Sequence, residues 1–125
     1  DVVTEWEAAA RALAALGCQV ILPNLHSNEQ TKPGSVADDD VQQIVRAIYK
    51  LGGAKTAVVM GKSWGGGQAV AFAFANPQMV TQLVLVAPAL SDTGLLQGVF
   101  RVPTALFWAR DDTVKSFDNA RVFTE

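Results

Sequence analysis

The sequence predicts an α/β fold: an open, mostly parallel sheet with helices on both faces, a Rossmann-like three-layer sandwich. Two observations carry this reading. Helical and strand-like hydrophobic patterns alternate along the chain, as in repeated strand–helix–strand units with right-handed crossovers. The segment Thr56-Ala57-Val58-Val59-Met60 is apolar without alternation, the habit of a parallel strand covered on both faces.

The first element is a helix in which Trp6, Ala9, Leu13 and Leu16 recur at helical spacing, with Gly17 as its stop. Gln19-Val20-Ile21-Leu22 reads as a strand ended by Pro23, and a polar loop runs from Asn24 to Gly34. Ser35-Val36-Ala37-Asp38 has the form of a capping box. The acids Asp38, Asp39 and Asp40 suit the positive end of a helix dipole better than a metal site. Val41, Ile44, Val45, Ile48 and Leu51 line one face of that second helix, which Gly52-Gly53 ends. After the strand at 56–60, a helix from about Trp64 to Ala75 is apolar nearly all round. It is expected to lie buried against the sheet, with Asn76-Pro77 as its stop. Leu83–Ala87 and Thr104–Ala109 complete four expected strands.

Composition narrows the functional classes. The 125 residues suffice for one domain with a real core. Ten Lys and Arg stand against twelve Asp and Glu, and no basic block draws the chain to nucleic acid. No apolar run approaches the roughly 20 residues of a membrane span. One cysteine and one histidine are too few for a zinc site, and neither a metal nor a cofactor is expected. Cys18 opens an apolar run and is expected to be a buried free thiol. The lack of disulfides leans toward a cytoplasmic setting. The chain begins at Asp1 without a Met, as a processed, trimmed or fragmentary sequence would.

Gly61-Lys62-Ser63-Trp64-Gly65 matches Gly-x-Ser-x-Gly between a buried strand and a buried helix. To lift a serine above the strand end the chain turns sharply, and side chains at Gly61 and Gly65 are expected to collide within that turn. Gly66 and Gly67 would let the helix pack close to the sheet. Ser63 would then sit at a helix N-terminus, where N–H groups and the dipole favour developing negative charge; the N–H of Trp64 is the natural oxyanion donor. A merely structural turn is the competing reading of the same residues. A phosphate loop is not, because position 56 is Thr rather than Gly and residues 57–60 are strand, leaving no loop to wrap a phosphate. Lys62 reads as a solvated or loop-packing side chain.

With Phe107-Trp108-Ala109-Arg110-Asp111-Asp112-Thr113-Val114, the sequence resembles the α/β-hydrolase superfamily from its first helix to the helix after its seventh strand. That segment is similar to the family's strand end, apolar–small–x–x–Asp–x–Val, and places the triad acid on Asp112, with Asp111 as fallback. The pair also has the character of a cap for the following helix. Asn76-Pro77 and Ala87-Pro88 fit the resemblance as supporting texture. The resemblance implies a serine hydrolase that cleaves an ester, thioester or amide bond of a small-molecule acyl substrate through an acyl-enzyme on Ser63. Asp112 would orient a histidine that serves as base. A serine at the nucleophile position is unlike the dehalogenase and epoxide-hydrolase branches, which place Asp there. Trp64 would wall the acyl site, and Trp108 is expected in the core.

The resemblance also predicts what the chain lacks. The family order is Ser, acid, His, yet 13 residues follow Asp112 and none is His. His26, the lone histidine, precedes the nucleophile and reads as a loop or pocket-rim residue rather than the base. The loop giving the second oxyanion N–H would precede Asp1, and its strand would lie between those at 19–22 and 56–60. The chain thus reads as a partial domain, 1–125, truncated at both ends. Either its neighbouring strands close up and pair, or the isolated stretch is unstable; by itself it is expected to be inactive. About 15 residues separate the sixth and seventh strands of the resemblance, too few for the helical lid of capped relatives, so the lidless branch is implied. Leu95, Leu96, Val99 and Phe100 are expected to form a short amphipathic helix there. A non-catalytic module that binds a ligand or a protein is the alternative from another functional class.

Overall fold

The structure, a computed structural model, describes residues 2–25, 38–90 and 101–123. Two compact units divide the chain, Asp1–Gly53 and Ala54–Glu125. The capping box before Asp38, His26 and the helix expected around Leu95–Phe100 lie outside the described residues.

In the first unit, α1 spans Val2–Ala15 and α2 spans Asp38–Leu51. The chain leaves α1 through a paired bond pattern. Cys18 N–H donates to Leu13 O (3.2 Å) and Gly17 N–H to Ala14 O (3.0 Å), with Gly17 at φ 89°. These are the two bonds of a Schellman motif, and a positive φ at its C′ position is why glycine stands there. Along α2, Val41 and Tyr49 are buried and Val45 and Ile48 are half-buried, while Ile44 and Leu51 of the expected stripe are exposed. Tyr49 takes the place that the sequence pattern gave to Leu51, and burial raises the pKa of its phenol.

Two expectations about this unit are corrected. Gln19–Leu22 belongs to no strand; Ile21 and Leu22 are exposed. A β-strand exists only through the ladder of a neighbour, and apolar residues alone do not supply one. Cys18 is exposed rather than buried, because its backbone closes the turn after α1 instead of opening a sheet strand.

The second unit is built on three parallel strands. They are β1 (Ala57–Lys62), β2 (Val80–Val86) and β3 (Thr104–Phe107), in the order β1-β2-β3. Among the described residues three strands thus stand where four were expected, and β1 has a described partner only in β2. Helix α3 (Ser63–Ala75) crosses from β1 and packs on both β1 and β2. The central strand β2 is the best buried, with Leu83 and Leu85 wholly inaccessible; Phe72, Ala69, Val70 and Ala73 of α3 are buried too, as are Val80, Val102 and Ala120. Burying such leucines contributes about 1.5–3 kcal/mol each relative to exposure.

On β1, alternation sets Val59 and Gly61 on the face toward α3, while Val58 and Met60 on the other face are exposed. The absence of alternation in the sequence therefore predicted the parallel pairing correctly but not burial of both faces. Asn76 explains the end of α3. Its backbone N–H makes the last helical bond, to Phe72 O at 2.9 Å, and its buried side-chain Nδ2 donates to the same oxygen at 3.0 Å, so the amide is satisfied locally where the helix stops. Among the described residues no helix is long and apolar enough to cross a membrane.

Candidate active site

Parallel pairing brings the ends of all three strands to one edge. Lys62 of β1 is in register with Val86 of β2, and Val86 with Phe107 of β3. The residues that follow, Ser63, Ala87 and Trp108, therefore leave the sheet along the same carboxyl rim, where ligands of open α/β sheets bind. The connections are tied to one another there. Ala87 N–H donates to Phe107 O at 3.0 Å, and Ala89 N–H to Ser63 O at 2.8 Å.

Ser63 is the first residue of α3, reached from an extended Lys62 (φ −123°, ψ 142°). Its φ is 49°; among the described non-glycine residues only Ala87, at 40°, shares a positive φ. A left-handed backbone costs an L-residue about 1–2 kcal/mol. Both strained positions stand at adjacent strand ends, the kind of place where such strain is held by surrounding structure. Ser63 and Trp64 are half-buried and Lys62 is exposed.

The glycines around the serine have different tasks. A Cβ at Gly61 would meet the Gly65 carbonyl group, with Gly65 C at 2.7 Å and Gly66 Cα at 2.8 Å. One at Gly66 would meet Pro88 Cβ at 2.8 Å, and one at Gly67 would strike the Ala89 carbonyl oxygen. At Gly65 a Cβ would meet nothing within 4 Å, which corrects the expectation of a collision there. In the bend, Gly65 contributes the backbone that crowds position 61, and its own Cα faces open space. Gly66 admits both Pro88 and the β1 carbonyl of Gly61, 3.3 Å from its added Cβ, whereas Gly67 admits Ala89 of the segment after β2 rather than the sheet.

Asp112 lies in the loop after β3. Its Oδ1 accepts from the N–H groups of Val114 and Lys115, each at 2.8 Å, and its own N–H reaches Ala109 O at 3.3 Å. Its pKa is lowered, first by the Lys115 N–H, then by that of Val114, with the Lys115 charge assisting against a small desolvation. Among the described residues no donor reaches Oδ2. The neighbouring Asp111 is exposed and makes no comparable bonds among the described residues. Trp108, expected in the core, is half-buried, and its indole Nε1 donates to Lys115 O at 2.8 Å.

Thus Ser63, Trp64, Gly61 and Gly65 share one bend, and Asp112 lies in the loop that leaves β3 at the same edge of the sheet. The strand between them sets β1 and β3 about 10 Å apart. No histidine stands among the described residues of this rim. Residues that sequence reasoning passed over are Ala87 and Ala89. Ala87-Pro88 was visible as a family-like pair, but nothing in the sequence marks Ala89 as a partner of Ser63.

The sequence profile of the alpha/beta hydrolase fold family matches residues 2–112. The chain belongs to the α/β-hydrolase fold family. No curated protein matches this α/β-hydrolase chain. Among solved structures, a predicted CIB-like hydrolase from Thermoplasma acidophilum is similar at 26% identity and a TM-score of 0.67, over 78% of this chain and 48% of its own. MGS-MChE2, an α/β-hydrolase enzyme from the metagenome of sediments of the Mar Chica lagoon in Morocco, is similar in fold. It shares 17% identity at a TM-score of 0.59, over 76% of this chain and 57% of its own. This α/β-hydrolase chain therefore spans about half the length of these structures.

Proposed function

We propose that this stretch carries the nucleophile and the acid of a serine hydrolase that cleaves an ester, thioester or amide bond through an acyl-enzyme on Ser63. The observation that carries the reading is the strained bend. Ser63, at φ 49°, is the first residue past β1 and the first of a 13-residue helix. That position lifts a hydroxyl off the strand end into the field of the helix N-terminus.

A histidine base takes the Ser63 proton as Oγ attacks the carbonyl carbon, and the carbonyl electrons move onto oxygen. The N–H of Trp64 is the first donor for that oxyanion. Collapse expels the alcohol, thiol or amine, protonated by the imidazolium, and water then releases the acid from Ser63. Asp112 orients the imidazole through its second carboxylate oxygen and stabilises its charged form. Within these 125 residues no histidine follows Asp112, so this stretch alone would turn over activated esters little or not at all.

A second reading is a non-catalytic module that binds a ligand or a protein. The two separate on treatment of the full-length protein with a fluorophosphonate probe. The hydrolase reading expects covalent labelling that Ser63→Ala abolishes. Labelling unchanged in the variant removes Ser63 from its role, and none in either protein supports the binding module.

A further inference from the structure

We propose that Trp108 is a positioning residue for Asp112: its indole N–H, given to the Lys115 carbonyl, closes the loop whose backbone aims the carboxylate. The proposal rests on the reading of Asp112 as the triad acid, and it assigns the device that holds that acid in register with the sheet.

The loop from Ala109 to Ser116 has little else to hold it. Arg110, Asp111, Thr113, Val114 and Ser116 are all exposed, Val114 to 81%. Its internal order comes from Asp112, whose Oδ1 gathers the N–H groups of Val114 and Lys115. These bonds fix the carboxylate relative to the loop, not relative to the rim. A carboxylate that must meet an imidazole at hydrogen-bond distance has to be fixed relative to the strands that carry the nucleophile.

Trp108 makes that connection. It is the first residue after β3, whose Phe107 is paired with Val86. From there its half-buried ring spans the loop to Lys115 O at 2.8 Å. Lys115 is thereby held from both sides: its N–H by the Asp112 carboxylate and its C=O by the indole. The stiff ring, with two rotatable bonds, transmits the position of the sheet to the residue that grips Oδ1. Oδ2 is left to accept from the imidazole.

The test replaces Trp108 in the full-length protein by benzothienylalanine, which keeps the bicyclic ring but puts sulfur where the N–H was, with Trp108→Phe alongside. Three quantities are followed: turnover of an activated acetate ester, the same in an Asp112→Asn background, and the Asp112 carboxyl titration by carbon NMR. The expected result is at least a tenfold fall in kcat with KM within twofold, an Asp112 midpoint moved upward, and no further loss in the Asp112→Asn background. A wild-type Asp112 titration in the benzothienyl protein overturns the proposal, as does a loss that is equally large in the Asp112→Asn background. Failure of the underlying reading looks different: Asp112→Asn alone leaves turnover unchanged, while the Asp112 titration still reports whether the indole holds the loop.

Discussion

The N–H of Ala89 donates to the carbonyl oxygen of Ser63 at 2.8 Å. That carbonyl shares its peptide plane with the N–H of Trp64, and in a trans peptide the two point in opposite directions. Anchoring the oxygen on the segment after β2 therefore aims the proposed oxyanion donor away from it. Catalysis by a preorganised N–H depends on such aim, because a donor that must reorient gives back part of its benefit. The contact is possible only because position 67 lacks a side chain, since a Cβ there would strike Ala89 O.

Gly67→Ala is accordingly expected to displace Ala89 and loosen the Ser63–Trp64 peptide. In the full-length protein kcat should fall about tenfold or more with KM little changed, because a loosened donor forfeits part of the roughly 100- to 1000-fold that a donor lost outright is worth. Steady-state kinetics on an activated ester decide it. An unchanged kcat in a folded variant would mean that the Ala89 bond does not set the donor.

The two glycines of the motif should respond in opposite directions. Gly61→Ala forces a Cβ onto the Gly65 backbone and should destabilise by about 1–3 kcal/mol, the usual cost of overpacking. Gly65→Ala meets open space inside α3 and should stabilise by about 0.4–1 kcal/mol through the reduced freedom of the unfolded chain. Urea melts of the two variants give the order directly, and a reversed order would refute the geometry of the bend.

Strain at the proposed nucleophile predicts a trade between stability and chemistry. Ser63→Gly relieves a left-handed φ of 49° that Ser63→Ala retains, so the glycine variant should be the more stable by about 1 kcal/mol. Both should lose labelling by a fluorophosphonate. Equal melting midpoints would argue against strain at Ser63.

Asp112 gives a pH dependence of definite sign. Its pKa in the folded chain lies below the ordinary 3.8 because Lys115 and Val114 donate to the ionised form. A depressed carboxylate contributes stability that is fully present above the unfolded value and is lost as pH falls through the folded one. The loop should therefore keep its order down to pH values under 3.8 and open below them. The backbone N–H shifts of Val114 and Lys115, followed in an acid titration, should move together with the carboxyl carbon of Asp112. Movement at higher pH than an exposed aspartate would contradict the assignment of these bonds.

In the core, Leu85→Ala removes a side chain with no accessible surface from the central strand and should cost about 2–5 kcal/mol, read as a lower denaturation midpoint. Leu51→Ala, at an exposed position of α2, should change stability by no more than about 0.5 kcal/mol.

Read alone, the sequence determined the strand–helix–strand order from β1 to β2, the parallel pairing, the bend at Ser63 and the strand end that precedes Asp112. All of these are written in local pattern: hydrophobic periodicity, glycines where side chains cannot fit, and acids beyond a strand. It misassigned Gln19–Leu22, the burial of Cys18 and the crowding at Gly65. Each of those depends on what lies opposite in space: a ladder partner, a covering face, or the atoms a Cβ would meet. Only the tertiary structure could join Ala89 to Ser63 across 26 residues and return the Trp108 indole to Lys115. A hydrogen bond selects its partner by position and direction, and neither quantity is encoded in the residue types alone.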